Sequence, residues 1–140
     1  MKTIKVFQNN YIIRIDKGEK IIESLQNFIE KKNILSGSFY GIGAVSHCTI
    51  KYYSYEKKEY IEQNFQEDME ITGIIGNITK IDGKSVIHSH ISLSDNELRG
   101  RGGHLEEGIV GGTCEIHLTA FNKKIQRKYD EDTQLNLMDF

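Results

Sequence analysis

One amphipathic helix lies in a sequence that otherwise resembles strands, and this contrast limits the possible folds more than any other feature. Between residues 18 and 32, apolar residues recur at the spacing of one helical face. The members of that face are Ile21, Ile22, Leu25, Phe28 and Ile29. Most later segments are typical of strands, and the chain of 140 residues contains no proline. One early helix followed by many strands predicts an α+β fold, in which a mainly antiparallel sheet carries the packed helix.

Polar residues interrupt one predicted strand segment and form the turn of a predicted hairpin. Residues 3–16 have strand character, which is broken at Gln8-Asn9-Asn10. Residues 69–81 and 85–93 are predicted to form a hairpin through Asp82-Gly83. This dipeptide favours a type I′ turn, because both residues tolerate a positive φ.

The remaining segments are predicted from the same patterns. Further strands are expected at 35–44, 46–55, 60–65, 113–121 and 125–129, the last two forming a pair. A glycine-rich loop is predicted for residues 94–112. The tail, residues 130–140, is expected either to dock on the domain or to fray.

Composition predicts one domain spanning residues 1–140, because this length is sufficient for a core. The formal net charge is -2, and the basic cluster at 123–128 is interpreted as a solvated strand edge. This balance does not favour nucleic-acid binding. Cys48 and Cys114 are isolated, so reduced, buried thiols are expected. No segment resembles a signal peptide or a membrane span, and a cytoplasmic location without membrane association is therefore expected.

Three of the five histidines are close together in the sequence, at His88, His90 and His104. Alternate residues of a strand share a face with Cα atoms about 6.6 Å apart, so His88 and His90 can bind one cation. Ile91 and Leu93 would occupy the opposite, apolar face together with Ser89. The third histidine follows a glycine pair that permits close backbone approach. Three imidazoles with one open position would form a metal site. The alternative is a surface histidine in a tight loop.

Other polar residues are weaker candidates for the same site. Glu106 and Glu107 closely follow the third histidine and could supply a fourth ligand or a general base. The alternative for both is a solvated charge pair. Glu115 shares a strand face with His117 and could orient a metal-bound histidine. His47 is interpreted as a surface or half-buried histidine.

Four motifs, spread along nearly the whole chain, form one pattern. They are Ser36-Gly37-Ser38-Phe39-Tyr40-Gly41-Ile42-Gly43-Ala44, residues 69–78, residues 82–90, and Gly102-Gly103-His104-Leu105 followed by Thr113-Cys114-Glu115-Ile116. In order and spacing this pattern resembles the plant- and prokaryote-conserved (PPC) domain, in its stand-alone prokaryotic form. The resemblance implies an α+β fold with a mainly antiparallel sheet, and a homotrimer.

The resemblance also bears on ligands. The histidine positions of the family fall on His88, His90 and His104, which implies a metal there, zinc or another divalent transition metal. In plants the domain accompanies AT-hook motifs, which bind A·T-rich DNA. Arg99-Gly100-Arg101-Gly102 looks similar to the core of such a motif, but it lacks the proline and lies inside the domain. We therefore interpret it as loop, and DNA binding stays an analogy with the family.

Two classes of function follow from these observations. The first is a homotrimeric, metal-binding PPC protein with a DNA-binding-like or regulatory role and no AT-hook. The second is a zinc-dependent hydrolase or lyase that acts on a small molecule, with Glu106 or Glu115 as general base. A cupin-like metal protein is a third possibility, because His88, His90 and Glu97 partly match the first cupin motif.

Overall fold

The computed structural model describes residues 1–140 as nine strands and one helix. The helix, α1, spans Ile21–Lys31. The strands are β1 (Lys2–Phe7), β2 (Asn10–Asp16), β3 (Ser36–Ser54), β4 (Glu59–Phe65), β5 (Met69–Ile81), β6 (Lys84–Ser94), β7 (Gly100–Phe121), β8 (Gln126–Asp130) and β9 (Leu135–Asp139). The predicted α+β class with one principal helix is confirmed. No helix has the length and apolar character needed to cross a membrane.

Helix α1 forms where the sequence predicts it, and a side chain from the sheet caps its first turn. Its buried face consists of Ile21, Leu25, Phe28 and Ile29. Lys20, at the N-cap, makes no side-chain capping hydrogen bond. Instead the carboxylate of Glu107, on β7, accepts hydrogen bonds from the backbone N–H groups of Ile22 at 2.8 Å and Glu23 at 3.2 Å. A negative charge at this end also interacts favourably with the helix dipole.

The strands form one sheet that closes on itself. Its order is β1-β2-β7-β3-β5-β8-β9, with β4 on β3, and with β6 paired to both β5 and β7. Because β3 also pairs with both β5 and β7, the strands β3, β5, β6 and β7 form a closed circuit. Every pairing in this circuit is antiparallel. The circuit is completed where the end of β6 meets the start of β7.

The inner faces of these strands and the apolar face of α1 share one core. This core contains 23 buried apolar residues, and among them are Phe39 on β3, Ile74 on β5, Ile91 on β6 and Leu118 on β7. The helix packs against β6 and β7. Residues that alternate with core residues point to the opposite, outer face of the sheet. Polar side chains on the outer faces of β6 and β7 are therefore directed away from the helix.

Much of the segment predicted as a loop, residues 94–112, is strand, so that prediction is wrong. Strand β7 is continuous from Gly100 to Phe121. Its glycines permit tight contact between strands: a Cβ atom on Gly103 would lie 2.7 Å from the carbonyl oxygen of Lys51. Gly102 and Gly103 thus lie close to the backbone of neighbouring strands within the sheet and not in an open loop.

The predicted pairing of residues 113–121 with residues 125–129 is also wrong. Residues 113–121 are the second half of β7, which pairs with β2 and β3. Strand β8 pairs with β9, and it contacts β5 through one parallel bridge between Lys80 and Gln126. The tail, 130–140, thus contains a strand that is hydrogen-bonded to β8.

The turn predictions are confirmed where Asp and Gly specify the backbone. Asp82 and Gly83 have φ values of 49° and 81°, as a type I′ turn between β5 and β6 requires.

The segments predicted separately at 35–44 and 46–55 are one continuous strand, β3.

The two cysteines lie in the core, as predicted. Cys48 and Cys114 are buried and unpaired. Burial raises the pKa of each thiol to about 12, with smaller contributions from neighbouring glutamates. Both cysteines therefore stay protonated at neutral pH and act as small apolar side chains.

Candidate metal centre

Two histidines on β6 share the outer face of the sheet, as their spacing predicts. On the inner face, Ser89, Ile91 and Leu93 are buried. On the outer face, His88 is half-buried and His90 is exposed. The centroids of their two rings lie 5.3 Å apart. The alternation of side chains along one strand thus brings both imidazoles to one side of the sheet.

Strand β7 brings the third histidine to this pair. The register of β6 and β7 places His104 directly opposite His90. The ring centroid of His104 lies 5.3 Å from that of His88 and 5.9 Å from that of His90. One ring nitrogen from each histidine lies within 4.8 Å of those of the other two, and no carboxylate or thiol belongs to the group. We call these three residues the histidine triad.

The donor set of the triad fits a transition metal. Zinc binds imidazole nitrogen at about 2.0–2.1 Å in tetrahedral geometry, which requires ligating nitrogens about 3.3 Å apart. Separations of up to 4.8 Å would have to shorten by roughly 1.5 Å, a change that side-chain rotation can supply. The Nδ1 atom of His104 is buried and has no hydrogen-bond partner. Burying a polar atom without a partner is unfavourable, which indicates that this ring has room for a ligand or a hydrogen-bond partner.

The surroundings keep two of the three imidazoles neutral. Burial, followed by the positive charge of Arg127 and the neighbouring histidines, lowers the pKa of His88 to about 4. Burial is also the main cause that lowers the pKa of His104, while Glu106 acts in the opposite direction. Neutral imidazole is the form that binds metals. Protons therefore do not compete for these two rings at neutral pH.

The triad lies in the wall of a cavity of about 610 Å³. Tyr53 and Tyr60, from the β3–β4 hairpin, form one side of it, and Leu135 and Leu137 of β9 form another. The ring centroid of Tyr60 lies 5.5 Å from that of His104. The triad therefore faces a partly apolar chamber with room for a small molecule.

A cation that the sequence does not associate with the triad lies beside it. Arg127, on β8, donates hydrogen bonds to Thr79 Oγ1 at 2.8 Å, Asn77 Oδ1 at 2.9 Å and the carbonyl oxygen of Asn136 at 2.7 Å. Its Nη2 atom also lies 3.3 Å from His88 Nδ1. The interpretation of the basic cluster as a solvated edge is therefore wrong for Arg127. Only the pairing of β8 with β9 and β5 reveals its place.

The acidic residues considered as further ligands lie outside the triad. Glu106 forms an ion pair with Lys51 at 2.8 Å. Glu107 caps helix α1 through the backbone N–H of Ile22. Glu115 lies toward the other end of β7 and lines a different cavity. The alternative of a solvated charge pair is also wrong for Glu107, because each of its two carboxylate oxygens accepts a backbone hydrogen bond.

The remaining two histidines are also separate from the triad. His47 is exposed and lies 3.2 Å from the hydroxyl of Ser46. His117 is exposed on the outer face, where its ring stacks on Tyr40 with a centroid separation of 5.1 Å. Neither belongs to a group of three or more histidine, cysteine, aspartate or glutamate side chains that could hold a metal ion.

The arginines that resemble an AT-hook are held by one buried carboxylate. Asp95 accepts hydrogen bonds from Arg99 Nε and from the backbone N–H groups of Arg99 and Glu97, each at 2.9 Å. Arg101 lies 3.9 Å from the same carboxylate. These contacts stabilise the short connection between β6 and β7. Arg99 lies in that connection, as interpreted, whereas Gly100 already belongs to β7.

Comparison with known proteins agrees with this architecture. The family model described as the Plants and Prokaryotes Conserved (PCC) domain matches residues 3–122. A comparison with curated proteins finds no match. A crystal structure from Bacteroides thetaiotaomicron, described as a proposed DNA-binding protein, superimposes with a TM-score of 0.94. It is 34% identical, and the match covers 97% of this chain and 95% of that one.

Two archaeal crystal structures are also similar over almost their whole length. The metal-containing protein of Archaeoglobus fulgidus is 32% identical with a TM-score of 0.88, covering 98% of this chain and 100% of that one. The plant- and prokaryote-conserved protein of Pyrococcus horikoshii is 34% identical with a TM-score of 0.88, covering 95% and 92%. These matches support the PPC fold in place of the cupin-like alternative. The chain belongs to the plants and prokaryotes conserved domain family, abbreviated PCC or PPC.

Proposed function

We propose that the protein is a metal-binding module that holds one divalent transition metal, with zinc as the first choice, through His88, His90 and His104. The observation that carries this proposal is the convergence of three imidazoles without a competing carboxylate. The metal-containing relative from Archaeoglobus fulgidus supports it. A cytoplasmic setting is part of the proposal and is consistent with the two buried, unpaired cysteines.

In this proposal the two more buried histidines and the tyrosine beside them have separate roles. A zinc ion with three histidine ligands supplies a Lewis acid with one open position. His88 and His104 present neutral nitrogens, because burial lowers the pKa of both rings. Tyr60 packs beside His104 on the β4 side, with the two ring centroids 5.5 Å apart.

The metal proposal is tested on protein purified without an affinity tag. We expect about one zinc per chain by elemental analysis, and zinc at a hundred times its Kd should raise the Tm by roughly 10 °C. His104→Ala should abolish both effects while leaving the metal-free protein folded. His47→Ala is the matched control, since its ring lies outside the triad. Zinc uptake that His104→Ala leaves unchanged would exclude the triad as the site.

We also propose that the module acts as a homotrimer, as the family resemblance implies. A row of outer-face residues crosses the sheet in register, from Ile12 through His117, Tyr40 and Ile75 to His90. Tyr40 is 61% exposed and Ile75 is 66% exposed. Two large apolar side chains at this exposure, adjacent to one another and to the triad, are typical of a surface that a further copy covers.

Light scattering or sedimentation velocity tests this assembly. We expect a mass of three chains, and we expect Ile75→Lys to shift it to one chain, because a charge would be buried between copies. Leu98→Lys is the control: Leu98 is 86% exposed but lies in the β6–β7 connection, away from the row. A monomeric wild type, or equal effects of both variants, would exclude this face as the contact.

DNA binding receives less support than metal binding from this chain. Relatives from Bacteroides thetaiotaomicron and Ralstonia eutropha are described as proposed DNA-binding proteins. The net charge here is -2, and Arg99 and Arg101 contact Asp95. We therefore expect no gel shift with A·T-rich duplexes at physiological salt. A salt-dependent shift would instead assign the module a role on DNA.

An enzymatic role is a second candidate, favoured by the cavity that the triad faces. A zinc-dependent hydrolase or lyase needs a general base within reach of the open position. Glu106 is engaged by Lys51, Glu115 lies elsewhere, and no carboxylate lines the cavity. Zinc-loaded protein that turns over ester or small-molecule lyase substrates, with the activity lost in His104→Ala, would support this candidate over a binding role.

A further inference from the structure

The cavity beside the triad has a positive charge without a counter-ion. Two cations, Lys51 and Arg127, line it, and no carboxylate does. Lys51 is neutralised by Glu106 at 2.8 Å and Glu62 at 3.7 Å. The partners of Arg127 are all neutral. A partly buried charge without a counter-ion is unfavourable, so the cavity favours an anionic ligand.

The guanidinium of Arg127 retains hydrogen-bonding capacity. Arginine has five N–H groups, and here four contacts are made, by Nε, by Nη1 and twice by Nη2. One N–H of Nη1 has no partner. The longest of the four contacts, 3.3 Å, is from Nη2 to His88 Nδ1. Because a guanidinium only donates, His88 Nδ1 must be the acceptor in this contact.

That contact is incompatible with metal binding by His88. A neutral imidazole has one lone pair available in the ring plane and one N–H. When His88 ligates a metal, the lone pair is used and the other nitrogen carries the proton. His88 can then no longer accept a hydrogen bond from Arg127. Metal binding therefore leaves two N–H groups of Arg127 free, one on each terminal nitrogen.

Two free N–H groups on a guanidinium suit a carboxylate, which can accept both. The cavity walls suit the rest of an organic acid. Tyr60, Val86, Leu135 and Leu137 provide apolar surface around the triad and Arg127. An inorganic anion would leave this surface unused, whereas an aromatic or aliphatic acid would cover it.

We propose that the cavity binds a small organic acid, whose carboxylate is held by Arg127 together with the metal on the histidine triad. This rests on the proposed metal-binding function. Arg127 and the β9 wall lie beyond residue 122, where the match to the family model ends. The C-terminal hairpin of β8 and β9 thus adds the acid-binding part to a metal site built by β6 and β7.

Calorimetry with benzoate as the probe tests this proposal. Zinc is first titrated into the metal-free protein, and benzoate is then titrated into both the metal-free and the zinc-loaded forms. We expect zinc to tighten benzoate binding by at least about tenfold, since it frees Arg127 and supplies a second contact. By reciprocity, benzoate should tighten zinc binding by the same factor. Acetate should bind more weakly than benzoate, and benzyl alcohol should not compete.

Variants of two neighbouring residues on β8 separate the contribution of Arg127 to benzoate binding from the effect of the total charge. Arg127→Gln should retain zinc binding but weaken benzoate binding by at least about tenfold, the usual effect of losing a charge-assisted hydrogen bond. Arg127→Lys should weaken it less. Lys128→Gln removes the same charge from the neighbouring, exposed position and should bind benzoate as the wild type does.

The failure of this proposal is distinguishable from the failure of the metal site. If the wild type takes up no zinc, the proposed function fails, and this inference fails with it. If zinc binds but benzoate does not, the metal site stands and the acid-binding inference is overturned. Benzoate binding that Arg127→Gln leaves unchanged, or binding of inorganic phosphate in preference to benzoate, would overturn it as well.

Discussion

The inner and outer faces of the same strands differ in how far their side chains are buried within one chain. Phe39 is 2% exposed and its neighbour Tyr40 is 61% exposed. Ile91 is buried, and its neighbour His90 is exposed. The apolar side chains of the inner face are buried within one chain, because the helix and the strands cover them together. The outer face has exposed apolar side chains, the three imidazoles of the histidine triad and a guanidinium without a counter-ion.

This difference separates stability from function in the molecule. The inner residues make their contacts within the chain, so their replacement should lower the free energy of unfolding. The outer residues keep exposed apolar surface and unused hydrogen-bonding groups, so their replacement should mainly change what the chain binds. The predictions below test this separation, beginning with the largest expected effect.

The largest effect is expected from Phe39→Ala. The ring of Phe39 packs so closely against Gly76 that a Cβ atom there would overlap Phe39 Cζ. Truncation should lower the free energy of unfolding by about 3–5 kcal/mol, because it leaves a cavity that this sheet cannot close. Denaturant unfolding measures the loss. A loss below about 1 kcal/mol would show that the inner face is not tightly packed.

A smaller effect is expected from Glu107→Ala, which removes the cap of helix α1. The free energy of unfolding should fall by about 1–2 kcal/mol, as for other lost N-terminal caps. Glu106→Ala is the matched control, because its exposed ion pair with Lys51 should contribute about 0–1 kcal/mol. Equal losses in thermal unfolding would contradict the assignment of Glu107 as the cap.

His88 should make the metal-free protein less stable in acid. Burial and Arg127 lower its folded pKa to about 4, whereas the unfolded pKa is about 6.5. The unfolded chain therefore binds the proton first as the pH falls. The contribution of neutral His88 to the free energy of unfolding is therefore complete above pH 6.5. It is lost as the pH falls from 6.5 to 4.

The size of this effect is limited by the partial exposure of the ring. A loss of about 1 kcal/mol is expected after allowing for solvent screening. The measurement is the difference in unfolding free energy between the wild type and His88→Gln across this pH range. His47→Gln, at an exposed position, should follow the wild type. A difference between wild type and His88→Gln that stays constant with pH would contradict the prediction.

The smallest effect is expected from Tyr40→Ser on the free energy of unfolding of the monomeric chain. At concentrations where the chain is monomeric, the change should lie within about 0.5 kcal/mol, as for other surface substitutions. At concentrations where copies associate, the same variant should cost more. Unfolding at several protein concentrations measures both. A large loss that does not depend on concentration would show that the outer face is stabilised within one chain.

The sequence predicts much of this molecule where local chemistry decides the structure. The helix is predicted by its apolar spacing, and the β5–β6 turn by Asp82-Gly83. The shared face of His88 and His90 follows from the period of a strand. The strand character of residues 100–112 is missed, because glycines such as Gly103 give no alternating apolar pattern. Their role depends on a neighbouring strand that is distant in sequence.

The fold class, the helix and the shared face of His88 and His90 can be predicted from the order of neighbouring residues. Three contacts become visible only in the folded chain: His104 lies opposite His90, Glu107 caps the helix, and Arg127 contacts His88. These three contacts depend on the register of strands far apart in the chain. Register is set by the packing of the whole sheet, and no local pattern contains it.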